Sequence, residues 1–173
     1  MTRNEILLVV VGRVPTEVGD WLNLGLSKTF GLPCRSGRSL PHPSFALDAQ
    51  RQQYLADAAL GRVDPGESAC ALAVADLDLY VVRLHFVFGL AEPVNRRAII
   101  ALPRLRQTYY RLPDDKELFR QRVLKEAVHE LGHVFGLGHC DDRRCVMAFS
   151  NSLADTDFKS PDFCSRCRRQ LKR

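Results

Sequence analysis

The stretch "HELGHVFGLGH" from His129 to His139 holds three of the five histidines in this chain of 173 residues. His129 and His133 are spaced by about one helical turn, so on a helix both imidazoles leave one face and can bind one ion. Glu130 lies about 100° round the axis from His129. That puts its carboxylate beside the ion rather than on it, where it can take a proton from a bound water. Gly136 can adopt the left-handed conformation that ends a helix in a sharp turn. His139, three residues on, can then swing back as a third ligand. Three neutral histidines leave the fourth position of zinc open to water, which is the arrangement of a catalytic site. Zinc brings the pKa of such a water to about 7 and polarises a carbonyl. The chemistry implied is hydrolysis of an amide. Histidines serving as polar surface at a helix end would explain His129 and His133, but not the added spacing of Gly136 and His139.

A second cluster begins at the next residue. Cys140, Cys145, Cys164 and Cys167 are spaced C-x4-C-x18-C-x2-C. Two close pairs of thiolates suit a closed, tetrahedral structural zinc site. A redox role for the C-x2-C pair is the alternative, but no thioredoxin-like βαβ context surrounds it. The segment after Met147 has few large apolar side chains, so a metal staple would supply stability that burial cannot. Cys34 and Cys70 stand apart and read as buried free thiols.

"HELGHVFGLGHC", followed by "CVM" and a distant "CSRC", resembles the archaemetzincin family of the metzincin clan of zinc metallopeptidases. The resemblance is strong over 129–167 and extends upstream only through the order of elements. It implies that His129, His133 and His139 bind a catalytic zinc and that Glu130 is the general base and acid. It further implies that Met147 forms a floor under the metal and that the four cysteines hold a second zinc, giving two per chain. Some metzincins carry a metal-reaching tyrosine two residues after the methionine; here that residue is Phe149. The interval from Met147 to Cys164 is one residue shorter than the family's. The resemblance also implies that a strand over 83–90 is the sheet edge that pairs with an extended peptide.

The elements that must carry these residues are legible from period and punctuation. A buried strand is expected over 5–11, and a helix capped by Thr16 runs to about Phe30. "LPCRSGRSLPHP" reads as loop, with His42 inside it. A short strand is expected over 44–47, then a helix opened by Asp48 and closed by Gly61. Strands follow over 69–74, 83–90 (carrying His85) and 98–102. Asp76 and Asp78 alternate with leucines as on a solvated strand face, and nothing in their spacing assigns a role to Tyr109 and Tyr110. Asp114, with Glu117 as its capping-box partner, opens the long helix that ends at Gly136. Glu126 reads as ordinary helix surface. The expected class is α+β, of the α/β/α-like metzincin kind, with a mixed twisted sheet of about five strands and packed helices. One domain spans 1–173, with a subdomain 1–136 and a small subdomain 137–173 stapled by zinc.

Hydrophobic content of 46% and charged content of 26% are those of a globular domain. No apolar run approaches the roughly 20 residues of a membrane span, and the stretch from Ile6 to Val11 is too short for a signal-peptide core. A cytoplasmic, monomeric protein acting on peptides or proteins, with no membrane partner, is expected. The net charge of +5 comes from the tail "SRCRRQLKR". That tail, with the cysteine site, supports a rival reading as a non-enzymatic zinc module that binds nucleic acid. No aromatic residues are interleaved as stacking platforms, and a structural site needs no base such as Glu130 beside an open position.

Overall fold

The computed structural model describes residues 3–171. Strand β1 (Arg3–Val11) leads into helix α1 (Thr16–Phe30), then strand β2 (Cys34–Ser36). Two short strands, β3 (Leu47–Asp48) and β4 (Gln53–Leu55), precede a one-turn helix α2 (Ala56–Leu60). Strands β5 (Ser68–Ala75), β6 (Leu79–Tyr80), β7 (Gly89–Glu92) and β8 (Arg97–Ala101) lead to the long helix α3 (Lys116–Val134). Helices α4 (Leu153–Phe158) and α5 (Ser165–Leu171) close the chain.

The main sheet has the order β2-β1-β5-β8-β7. All its pairings are parallel except that of β7, which runs antiparallel to β8 at the edge. The apolar runs of β1, β5 and β8 are buried on both faces, as central parallel strands require. Period-two alternation splits them between two cores. Ile6, Leu8, Leu72, Val74 and Ile100 face α1 and α3. Leu7, Val9, Ala71, Ala73 and Ile99 face α2 and the small sheet β3-β4-β6. The result is the expected α+β layering around a mixed sheet of five strands.

Several boundaries differ from the sequence reading. No helix starts at Asp48. Its carboxylate instead accepts from the amides of Gln50 and Arg51, and Gln52 turns left-handed at φ 55°. A local side-chain turn has outcompeted the helix. The expected strand over 83–90 is mostly loop. The carbonyls of Leu84 and His85 accept from Arg51 Nη2, and that of His85 also from Gln53, so side chains replace a ladder there. Only the last residues of the run enter β7. Asp76 and Asp78 do not line a solvated face: they pair with Arg106 and Arg104 at 2.6 Å. Helix α3 is capped by Asp115, whose side chain accepts from the Leu118 amide, one residue later than expected.

Candidate metal centre and cleft

Helix α3 presents His129 and His133 to one side, four residues apart. Each imidazole is oriented by a backbone carbonyl: His129 Nδ1 to Val146 O and His133 Nδ1 to Leu137 O, both at 2.8 Å. With Nδ1 so engaged, the Nε2 atoms point into one space and lie 3.1 Å apart. This ligand-plus-carbonyl pattern is how proteins fix the tautomer and aim of a metal-binding histidine. Burial, reinforced by the charge of Lys159, pushes His129 down to about 3. The ring is therefore neutral at ordinary pH and offers a lone pair.

The third histidine arrives through the helix end. Gly136 sits at φ 87°. Its amide bonds to His133 O and that of Leu137 to Gly132 O, both at 2.9 Å. These two bonds form a Schellman cap, and the Leu137 carbonyl released by the turn is the one that holds His133. The chain then doubles back, and the His139 ring stands 4.8 Å from His133 and 5.4 Å from His129. One nitrogen from each of the three lies within 4.8 Å of the others, a donor set that fits zinc with an open position. Phe149 covers the outer side of His139 at 5.0 Å between ring centres.

Glu130 is buried next to this cluster. Burial, with Glu126 adding to it and Lys159 opposing, pushes its carboxyl up to about 8. Its side chain lies against Gly89 of β7, where a Cβ would stand 2.7 Å from Oε1. Met147 is fully buried and packs against α3 at Gly132, whose missing side chain leaves the space its sulfur occupies. A cleft of about 760 Å³ runs past the histidines and Glu130. One wall carries Leu84, Phe86, Phe88 and Leu90, and the other Phe149 and Asn151. His85 sits in the loop of the first wall rather than in a strand.

The four cysteines also converge, with their sulfurs within 4.8 Å of one another. Cys140 and Cys164 are 3.8 Å apart at sulfur, far beyond a disulfide bond, and all four are free. The Cys167 amide and neighbouring thiols draw Cys164 down to about 7, while burial raises Cys145. A set holding one thiol ready to ionise among buried ones suits a cation that would stabilise them all as thiolates. Of the outlying cysteines, Cys70 is buried as expected, but Cys34 is only half-buried.

Residues 48–173 match the sequence model of peptidase family M54. The chain belongs to peptidase family M54. An archaemetzincin of Pyrococcus abyssi is 44% identical over 178 residues, covering 97% of this chain and 94% of the relative. The crystal structure of the Methanopyrus kandleri archaemetzincin superposes with a TM-score of 0.83 at 40% identity, covering 98% of this chain and 97% of that one. A zinc-dependent peptidase of Methanocorpusculum labreanum gives 0.86 at 31% identity, covering 96% and 99%. The M54 chain is thus a zinc metallopeptidase, a hydrolase acting on peptides or proteins. The nucleic-acid module is not favoured. Arg166 and Arg168 of the basic tail make local contacts with Asp141 and Asp162, and Lys172 and Arg173 lie outside the described residues. No described helix is long and apolar enough to cross a membrane.

Glu126, expected on the helix surface, is instead buried and paired with Lys159. A signal was available. Arg122, Glu126, His129 and His133 recur at spacings of four, three and four, so the histidine stripe continues backwards along α3.

Proposed function

We propose that His129, His133 and His139 hold a catalytic zinc, that Glu130 is the general base and acid, and that Cys140, Cys145, Cys164 and Cys167 hold a second, structural zinc. The observation that carries this reading is the convergence of three imidazoles, two of them aimed by backbone carbonyls, beside a buried carboxylate in an open cleft. Zinc, when bound, would acidify a water and polarise the scissile carbonyl.

The chain's own residues supply the rest. Glu130 takes the proton of the attacking water and returns it to the leaving nitrogen. The edge of the sheet receives the peptide. Ala101 N bonds to Phe88 O, and with Leu90 opposite Ile99 the ladder consumes the backbone groups of Phe88, Leu90 and Glu92. Those of Gly89 and Ala91 point the other way, off the open edge, available for an extended substrate. The apolar wall excludes water from the reacting bond. Met147 supports the histidine helix from below, and residues 137–173 act as a subdomain closing the cleft against 1–136.

The test is Glu130→Gln. Glutamate is not a ligand, so zinc content should match the wild type while turnover of library peptides disappears. Retained turnover would mean another base acts.

A further inference from the structure

Among the buried titratable groups that this mechanism leaves unused are Glu126 and Lys159. Their side chains are 4% and 1% exposed, and Lys159 Nζ lies 3.3 Å from Glu126 Oε1. Burying two charges costs several kcal/mol per ion in lost hydration, and an apolar pair of similar volume is often as stable or more so. Stability alone therefore gives no reason for the pair.

Its connections do. Lys159 Nζ donates to the carbonyl of Ala148 at 3.4 Å, the residue after Met147. Glu126 Oε1 also accepts from the Thr156 hydroxyl at 3.1 Å. On the other side of Met147, the Val146 carbonyl is the partner of His129 Nδ1. Residues 146–148 are thus tied to α3 twice, by His129 and, through Lys159, by Glu126 one turn earlier on the same stripe. Further along, Lys125 Nζ donates to the carbonyls of Thr156 and Asp157 at 3.1 Å, so α3 grips the segment around Lys159 as well. An apolar pair could fill the same space but would be non-directional. A hydrogen-bonded ion pair dictates where the Ala148 carbonyl stands. It does so with no net charge, and so sets no unpaired cation beside a site for a dication.

We propose that the Glu126–Lys159 pair is a positioning element of the histidine centre, holding the turn at 146–148 in register with α3 so that His129 is aimed at the metal. This inference rests on the reading of the three histidines as zinc ligands.

Full-length Lys159→Met and the double variant Glu126→Leu/Lys159→Met test it. The measurements are Tm, zinc affinity by chelator competition, and the visible spectrum of the cobalt(II)-substituted protein. His133→Ala serves as the reference for the cysteine site alone. Lys159→Met strands a buried carboxylate and should lower Tm. The double variant should regain most of that loss, yet bind zinc at the histidines about 10–100-fold more weakly, with shifted cobalt bands. A double variant that recovers Tm and matches wild-type affinity and spectrum would overturn the proposal and leave the pair merely structural. If that variant fails to fold, Glu126→Gln/Lys159→Met, which leaves no unpaired charge, is judged by the same affinity and spectral criteria. Wild-type protein whose zinc content is unchanged by His133→Ala would instead overturn the zinc reading itself, whichever way the pair variants behave.

Discussion

At the scale of single residues, a close constraint on Glu130, the proposed base, comes from a residue with no side chain. A Cβ on Gly89 would lie 2.6 Å from Glu130 Cγ and 2.8 Å from Ile99 O. The carbonyl belongs to the interior of the sheet and cannot yield, so Glu130 must swing aside or β7 must lift. Gly89 does not occupy the left-handed region, so alanine is allowed by its backbone and the whole effect is steric. Gly89→Ala should keep its zinc and lower kcat by about 100-fold, the loss typical of an ångström-scale displacement of a reacting group. Steady-state kinetics alongside zinc analysis would check this; unchanged kcat would show that Glu130 has room to spare. Nothing near Gly89 in the chain announces this contact, because the two residues meet only when the sheet edge lies over α3.

At the scale of elements, α3 carries chemistry on one stripe and packing on the others. Its end was legible because a Schellman cap depends on a glycine at one position. Its neighbours were not, as Gly132 shows. Alanine there gains up to about 1 kcal/mol in helix propensity, which favours the substitution when α3 is considered alone. A Cβ would, however, overlap the Met147 sulfur and approach Phe163 to 3.3 Å. Overpacking of this kind costs about 1–3 kcal/mol, which outweighs the gain. Gly132→Ala is expected to destabilise by up to about 2 kcal/mol on that balance. Urea denaturation would report it as a lower midpoint at constant slope; an unchanged or higher midpoint would mean that Met147 repacks freely.

At the scale of the molecule, the two donor clusters are joined by one short stretch of backbone. His139 and Cys140 are consecutive. The Cys140 amide bonds to Met147 O at 2.9 Å, and Val146 N bonds to Asp162 O at 3.0 Å. The loop that delivers the third histidine is therefore anchored to the segment that carries the cysteines. On the two-zinc reading, the wild type should yield two zincs per chain. Cys145→Ser should lose one and weaken affinity at the histidines by about 10–100-fold, as damage outside the ligand set usually does. A competitive zinc titration against the wild type decides between coupling and mere adjacency, since equal affinities would mean adjacency.

What the amino-acid order determined by itself is the short-range part. Residues within a turn or two of each other, such as His129, Glu130 and His133, have their relative placement dictated by helix geometry, and the glycine cap at Gly136 turns the chain so that His139 can return, so their chemistry can be read from spacing. The buried strands are legible for the same reason, and the two close cysteine pairs for the ligand spacing within each pair. The tertiary structure alone decided where Asp76 and Asp78 found their arginines and that Lys159 is the group laid against Glu126. It also brought Thr156 onto Glu126 across 30 residues of chain. The physical reason is that such contacts form through packing between elements, and the spacing of residues along one element carries no record of what will be laid against it.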